Sequence, residues 1–174
     1  PVDFALEANG YIAHRIYKGK VVGNDILRSV PYGYDPESRL GFKIKTVRLY
    51  GFQILGGLEF SVSMVKYTDE LSLQVSGLTF EYDSSQPPAA EPGQLSRLDP
   101  TSVRINGQPV NPLGLYWVAM NEQLVELLSS MGLIPLEEVE TGLFEYNLVR
   151  DFMSKLKYLT YTSKGRIIDI AFKD

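Results

Sequence analysis

The sequence predicts an α+β fold, a single domain in which a mixed β-sheet packs against helices. Apolar residues at alternating positions predict short strands, and apolar residues three and four positions apart predict helices between them. The dipeptide Asn106-Gly107 is typical of a tight hairpin, so some neighbouring strands are expected to be antiparallel. The 174 residues show no change of composition that would mark a boundary, and we expect one domain over 1–174.

The first elements are a strand, a turn and a short helix. Val2–Leu6 alternates apolar and other side chains and leads into the turn Asn9-Gly10. Asn24 is expected to cap a helix over Asp25–Val30, because an asparagine side chain can accept a hydrogen bond from an N–H group of the first turn. Pro31 cannot continue a helix and is expected to end this one.

A second strand and a longer helix follow. The strand begins near Leu40, and its apolar phase shifts at Thr46, which predicts a bulge there. After Gly51 the apolar residues take up the spacing of an amphipathic helix. The pair Gly56-Gly57 costs this helix roughly 1 kcal/mol per glycine relative to alanine, so we expect tertiary packing to hold it.

The middle of the chain predicts further strands and one long loop. Leu71–Asp83 contains strand signals on both sides of Gly77. Residues 84–100 are rich in proline, serine and alanine and predict a loop, either a surface excursion or a mobile segment. Val103–Val110 predicts a compact hairpin, and Leu115–Met120 predicts a buried strand.

Two helices and a strand are predicted for the last third of the chain. Asn121 is expected to cap the first helix, and Gly132 follows its end. The second helix is expected over Leu143–Leu156, and Arg166–Phe172 is the last predicted strand. The apolar residues that this second helix is expected to bury are Phe144, Leu148, Phe152 and Leu156.

The composition excludes many kinds of catalytic site. The chain has no cysteine and a single histidine, His14, so it has no thiolate nucleophile, no cysteine-type zinc site and no histidine-rich metal centre. A Ser-His-Asp triad would need His14 as its base, and the G-x-S-x-G turn is absent. We therefore predict no catalytic residue, no metal ligand and no cofactor in this chain. If the protein belongs to an enzyme, its catalytic metal or base is expected to lie elsewhere.

Charge and hydropathy bear on the partners and the compartment. The net charge of −4 weighs against nucleic acid as the main partner. No apolar run reaches the ~20 residues that a membrane-spanning helix needs. The absence of cysteine fits the cytoplasm and the periplasm alike. No signal-peptide pattern follows Pro1, and a predicted strand begins at once, so we expect the chain to be a piece of a longer polypeptide.

Five segments resemble, in order, the C-terminal domain of 5′-nucleotidases and UDP-sugar hydrolases. The similarity runs in register over nearly all of the chain. The segments are Val30-Pro31-Tyr32-Gly33, Gly51–Val62, Leu73–Asp83, Val103–Val110 with Tyr116–Ala119, and Gly165-Arg166-Ile167. The resemblance implies the fold of that C-terminal domain.

The resemblance also implies a division of labour. In that family an N-terminal metallophosphoesterase domain holds two divalent metal ions and performs the hydrolysis. The C-terminal domain binds the nucleoside part of the substrate and carries it to the metals by rotation. The implied partners are therefore a nucleoside or nucleotide and an N-terminal metallophosphoesterase domain of the same polypeptide. The implied location is periplasmic or extracellular, and neither nucleic-acid binding nor a membrane span is implied.

Residue by residue, the resemblance implies four substrate-binding candidates. Tyr32 matches the phenylalanine of the family's Leu-Pro-Phe-Gly, which stacks on the base, and stacking is worth about 1–3 kcal/mol per base. Tyr34 lies beside it, and Tyr11 lies in the first turn. Arg15 is a candidate phosphate ligand, because it follows by two residues the position where the family has an arginine and this chain has Ala13.

Three more family positions are also replaced, which leaves two hypotheses open. The family's second stacking ring falls near Gln123, its ribose-binding acidic residue falls near Ser129, and a glycine beside the base reads as Glu70. The first hypothesis is a nucleoside-binding domain of a hydrolase. The alternative is a degenerate family member, a structural or interaction module that no longer binds nucleotide. Tyr32 would then be only a turn aromatic packed at the edge of the domain.

Overall fold

A computed structural model describes residues 1–91, 93–156 and 158–172. The described chain contains two β-sheets and four α-helices, with short 3₁₀ turns at Asn9–Tyr11 and Ile170–Phe172. The helices are α1 (Gly23–Ser29), α2 (Gly51–Met64), α3 (Glu122–Ser130) and α4 (Glu145–Ser154). The strands are β1 (Phe4–Ala8), β2 (Lys43–Tyr50), β3 (Leu73–Ser76), β4 (Leu78–Tyr82), β5 (Arg104–Ile105), β6 (Gln108–Pro109), β7 (Leu115–Asn121), β8 (Glu137–Phe144) and β9 (Ile167–Asp169).

Both sheets mix parallel and antiparallel pairs. The larger sheet has the order β3-β1-β7-β2-β8, in which only the β1–β7 pair is parallel. The smaller sheet has the order β6-β5-β4-β9, in which β4 and β9 run parallel. Asn106 and Gly107 form the hairpin turn between β5 and β6, both at positive φ (50° and 80°). The predicted α+β fold with a mixed sheet is confirmed.

One buried apolar cluster joins the two sheets to α2 and α3. Both faces of α2 are largely buried, which agrees with the expectation that tertiary packing holds its Gly56-Gly57 pair. Asn121 caps α3 as predicted, because its Oδ1 accepts a hydrogen bond from the N–H of Leu124 at 2.8 Å. The side chains in this cluster that are almost completely buried include Leu58, Leu78, Val103, Val118, Met120 and Leu124.

Helices α1 and α4 cover part of the opposite face of the larger sheet. Here the sequence-based expectation for burial was wrong. Leu148 is 41% exposed and Phe152 is 60% exposed, Leu156 is exposed, and Phe144 is half-buried. The amphipathic pattern of α4 is real, but the helix follows the edge strand β8 and packs mainly against α1 and β8. Its apolar side is therefore left partly open to solvent.

Several elements begin or end at residues other than those predicted. The first strand begins at Phe4, and Val2 is exposed. Helix α1 begins at Gly23, so Asn24 lies inside it and does not cap it. Instead, the N–H of Val22 donates to Oδ2 of Asp25 at 2.9 Å. The last predicted strand shortens to β9 and is followed by a 3₁₀ turn.

Strand β8 was not predicted, and the bulge that was predicted at Thr46 lies in β8 instead. The pairing of β2 with β7 is continuous, so β2 itself has no bulge. On the other side, Ile44 pairs with Leu143 and Lys45 with Glu140, which leaves two additional residues in β8. The irregularity belongs to β8 and includes Gly142 at a φ of 70°. Lys45 and Glu138 form an ion pair (2.6 Å) that helps to hold this acidic edge strand.

The loop 84–100 is a surface excursion that is fixed to α2. The buried carboxylate of Glu59 accepts hydrogen bonds from the backbone N–H groups of Ser96, Arg97 and Leu98 at 2.8–3.0 Å. The guanidinium of Arg97 donates to the carbonyl oxygen of Val62 at 2.9 Å. No helix in the described part of the chain combines the length and the hydropathy of a membrane span.

Candidate functional site

Phe42 joins the segments that carry the predicted binding residues. Its ring meets the ring of Tyr11 edge-on, with centroids 5.3 Å apart and an angle of 77°. Its N–H donates to the carbonyl oxygen of Tyr32 at 3.0 Å, and its carbonyl oxygen accepts from the N–H of Glu145 at 2.9 Å. The turn after β1, the segment before β2 and the start of α4 therefore meet at one residue. We call Tyr11, Tyr32 and Phe42 the aromatic cluster.

Tyr32 is presented outward by a turn that requires a glycine. Gly33 has a φ of 72°, and a Cβ atom added there would lie 2.0 Å from Cδ1 of Phe42. The close approach of backbone and ring leaves the Tyr32 side chain 45% exposed. Asp35 stabilises the rest of the loop. Hydrogen bonds from the side chain of Ser38, and after it from the Ser38 N–H at 3.1 Å, lower the pKa of Asp35.

The other three predicted residues differ in burial and in contacts. Tyr11 is half-buried, and burial together with the carboxylates of Glu7 and Glu126 raises the pKa of its phenol. Arg15 and Tyr34 are exposed, and no hydrogen bond, ion pair or ring contact joins their side chains to other residues that the structure describes. The fold thus brings Tyr11 and Tyr32 to Phe42 and leaves Arg15 and Tyr34 in solvent.

The two replaced positions near the first turn have backbone roles. The N–H of Ala13 donates to the carbonyl oxygen of Ser29 at 2.9 Å, which ties the turn to the end of α1. The carbonyl oxygen of Glu70 accepts from the N–H of Gly10 at 2.8 Å. A Cβ atom at Gly10 would lie 3.1 Å from that oxygen, so the two backbones approach closely. These positions support the turn that holds Tyr11.

The two replaced positions on α3 are part of an ordinary amphipathic helix. Gln123 is half-buried, and its Nε2 donates to Oε2 of Glu126 at 3.3 Å within the same helix. Ser129 is half-buried, and its carbonyl oxygen accepts from the N–H of Gly132 at the helix end. Neither side chain offers an aromatic ring or a carboxylate. A ligand bound at the aromatic cluster would receive neither a second stacking ring from Gln123 nor a carboxylate from Ser129.

Sequence reasoning missed a pair of carboxyl groups beside the cluster, of which Glu145 is buried and Glu7 is half-buried. Oε1 of Glu7 accepts from Nδ2 of Asn121 and from the N–H of Ala8, both at 2.9 Å. Glu145 is only 8% exposed, and its side chain is hydrogen-bonded to that of Glu7. Burial, and secondarily the charge of Glu7, raises the pKa of Glu145 to about 8. Burial also raises the pKa of Glu7.

No sequence signal identifies this pair in advance. Glu7 occupies the outward position of an alternating strand, where a solvated acid is common. Glu145 is the first residue of a helix, where an acidic side chain is favourable for the helix dipole. The two carboxyl groups meet because the fold brings the first residue of α4 next to Glu7 of β1. That placement depends on the topology, which local patterns do not encode.

A cavity of about 410 Å³ opens beside the carboxyl pair, between the outer face of the larger sheet and α4. Its size lies within the range of small-molecule sites, about 300–1,000 Å³. Its lining is mostly apolar and includes Ala5, Ile12, Val30, Ile44, Leu148 and Val149 together with both glutamates. None of the four predicted binding residues lines it. Among residues 1–91, 93–156 and 158–172, no cluster of acidic or histidine side chains is suited to a metal ion.

Residues 1–126 match the sequence profile described as "5′-nucleotidase, C-terminal domain". No curated protein sequence matches the chain significantly. Among solved structures, the 5′-nucleotidase precursor from Thermus thermophilus is similar, with a TM-score of 0.80 and 24% identity. That similarity covers 97% of this chain and 31% of the other.

Two further structures share the fold. The NAD nucleotidase of Haemophilus influenzae superposes with a TM-score of 0.74 at 20% identity, covering 97% of this chain and 30% of that one. The sulfate thiohydrolase SoxB of Thermus thermophilus superposes with a TM-score of 0.64 at 19% identity, and the similarity covers 97% of this chain and 29% of that one. At such identities the similarity shows the fold alone. The chain spans about a third of the length of the first of these structures.

Proposed function

The chain belongs to the family of 5′-nucleotidase C-terminal domains, and we propose that it binds the nucleoside part of a substrate whose phosphoester bond another domain hydrolyses. The observation that carries this proposal is the position of Tyr32. By the sequence resemblance, Tyr32 matches the family's base-stacking ring, and a glycine turn packed on Phe42 holds it 45% exposed. An exposed ring of this kind can stack on a base.

The chemistry of hydrolysis belongs, in this proposal, to a metallophosphoesterase domain of the same polypeptide. Two divalent ions there would activate water and stabilise the departing oxygen. This chain would supply binding and orientation only, so we propose that it is inactive in isolation and acts in nucleotide breakdown as part of a hydrolase. On the family resemblance alone, we also propose a periplasmic or extracellular location.

A second candidate function is a structural or interaction module that has lost nucleotide binding. The observation in its favour is that Ala13, Glu70, Gln123 and Ser129 replace ligand positions and make hydrogen bonds that support the fold. The fold also occurs in a protein named as a sulfate thiohydrolase, and one fold can serve several chemistries. The substrate must therefore be determined by a binding experiment.

A titration of the whole chain with adenosine and with AMP separates the two candidates. We expect a saturable change of tyrosine fluorescence at millimolar ligand. Tyr32→Ala should weaken binding roughly tenfold, because stacking on one base is worth about 1–3 kcal/mol. Binding of AMP and adenosine with equal affinity would show that Arg15 does not contact the phosphate.

The matched control is Tyr67→Ala, because Tyr67 is an exposed tyrosine in the turn after α2. This variant should bind like the original chain. The absence of any saturable signal, or an equal loss of affinity in both variants, would contradict nucleoside binding at Tyr32 and favour the interaction module.

A further inference from the structure

Glu7 and Glu145 connect three parts of the molecule. Glu7 lies on β1 and is fixed by Asn121 at the start of α3. Glu145 is the first residue of α4, and its own N–H group donates to the carbonyl oxygen of Phe42. The bond between the two carboxyl groups therefore links β1 to the residue on which the aromatic cluster is assembled.

Two carboxyl groups in contact, one of them buried and the other half-buried, cannot both be ionised at little cost. One oxygen of Glu7 already accepts from Asn121 and from the N–H of Ala8. The remaining contact with Glu145 needs a hydrogen between two oxygen atoms, which only a protonated carboxyl group supplies. The cavity beside the pair is mostly apolar and offers no cation from its lining to compensate a second negative charge.

The charged groups on the surrounding elements do not neutralise the pair. Burial, and after it the carboxylates of Glu7 and Glu126, raises the pKa of the nearby Tyr11 phenol. The ammonium of Lys43 lies 6.0 Å from the centre of the Phe144 ring. The other titratable or charged groups on the adjoining elements are Asp25 and Arg28 on α1, Lys45 and Arg48 on β2, Glu122 on α3, Glu137, Glu138 and Glu140 on β8, and Tyr146, Arg150 and Asp151 on α4.

We propose that Glu7 and Glu145 share one proton and act as positioning residues that form a pH-sensitive latch. The latch holds the start of α4 against β1 and thereby fixes Phe42 within the aromatic cluster. When the shared proton leaves to solvent, the pair carries two negative charges in contact. Their repulsion separates α4 from β1 and weakens the bond between the Glu145 N–H and Phe42.

The rest of α4 offers little to oppose this separation. The helix buries no residue except Glu145, and its apolar side chains Leu148 and Phe152 are 41% and 60% exposed. It also meets α1, where Tyr146 lies against Gly23. The start of α4 is therefore the part of the fold whose position depends most on the state of the carboxyl pair.

The test follows the amide of Glu145 by hydrogen exchange in the whole chain, without ligand. In the original chain we expect the protection factor, corrected for intrinsic exchange, to fall by up to roughly tenfold for each pH unit between the ordinary carboxyl value of 4.5 and about 8, and to stay constant above that. Glu145→Gln keeps a neutral donor toward Glu7, so its protection factor should stay constant. Asp151→Asn, an exposed carboxylate on the same helix, should behave like the original chain.

Two results would overturn the latch. One is a protection factor that does not change with pH in the original chain or falls equally in Glu145→Gln. The other is a carboxyl ¹³C resonance of Glu145 that titrates near its ordinary value, and this needs no variant. The consequence for ligands, which rests on the proposed function, is a loss of adenosine affinity as the pH rises toward about 8 that Glu145→Gln prevents. If adenosine never binds but the amide behaves as described, only the proposed function fails.

Discussion

Phe42 is the residue on which the candidate site depends, although nothing in its sequence neighbourhood distinguishes it from an ordinary strand residue. It contacts Tyr11 through its ring and binds Tyr32 and Glu145 through its backbone. The ring also fills the space against Gly33, where a side chain would collide with it. A small change at Gly33 should therefore disturb both stability and the presentation of Tyr32.

Gly33→Ala should lower the free energy of unfolding by about 2–4 kcal/mol, because it adds a steric collision to the cost of a positive φ. Gly142→Ala is the matched control, since Gly142 has a φ of 70° and no atom within 4 Å of an added Cβ. The control should cost only about 1 kcal/mol. Urea denaturation measures the loss of unfolding free energy in both variants. Equal losses would mean that the Phe42 ring moves away from the added methyl group without strain.

Glu59 shows how one buried charge can hold a long loop. Glu59→Gln should lower the free energy of unfolding by about 3 kcal/mol, because an amide replaces a carboxylate that accepts several backbone N–H groups. It should also make the loop 84–100 sensitive to limited proteolysis. Glu91→Gln, an exposed position in that loop, is the control. A Glu59→Gln chain as stable and as resistant as the control would refute the anchoring role.

The two C-terminal amphipathic helices show what local pattern can and cannot predict. The apolar stripes of α3 and α4 look alike in sequence, and both helices were predicted near their observed bounds. Only α3 buries its stripe, because it follows β7 at the centre of the larger sheet, whereas α4 follows β8 at the edge. A stripe specifies that a helix has an apolar side, and the topology decides whether another element covers it.

This difference predicts unequal costs of truncation. Leu148→Ala on α4 should reduce the free energy of unfolding by about 1 kcal/mol or less, because the side chain is 41% exposed. Leu58→Ala on α2 should cost about 3–5 kcal/mol, because it leaves a cavity in the core. Chemical denaturation of the two variants measures the two losses of unfolding free energy, which should differ severalfold. Equal losses would mean that α4 is covered more completely in solution.

Strand β8 and the carboxyl pair were beyond sequence reasoning for a related reason. The run of acidic residues in β8 does not resemble a strand, and among the residues that the structure describes its charges form ion pairs with Lys45 and Arg48 on β2. Central elements such as α2, β7 and the β5–β6 hairpin were predictable because burial and turn chemistry act on neighbouring residues. The candidate site was predictable only at Tyr11 and Tyr32, because Phe42, Glu7 and Glu145 meet through long-range contacts.

For the whole molecule, the carboxyl pair predicts that stability decreases as pH rises from mildly acidic to weakly basic. The pKa of Glu145 is about 8 in the fold, against an ordinary value of 4.5, so the folded chain binds more protons between these values. The contribution of the Glu145 carboxyl to the free energy of unfolding is complete below pH 4.5. It decreases as the pH rises to about 8, by up to about 1.4 kcal/mol per pH unit. Urea midpoints should follow this trend and flatten in Glu145→Gln. A midpoint that rises over this range in both chains would contradict it.

The proposed function requires that this family member still binds a nucleoside at the aromatic cluster. The most direct measurement is a ¹H–¹⁵N titration of the whole chain with adenosine. We expect saturable shifts at the amides of Tyr11, Tyr32 and Phe42, and none at Leu113 or Tyr67. Shifts that do not saturate at millimolar adenosine, or that saturate at some other surface, would contradict the claim.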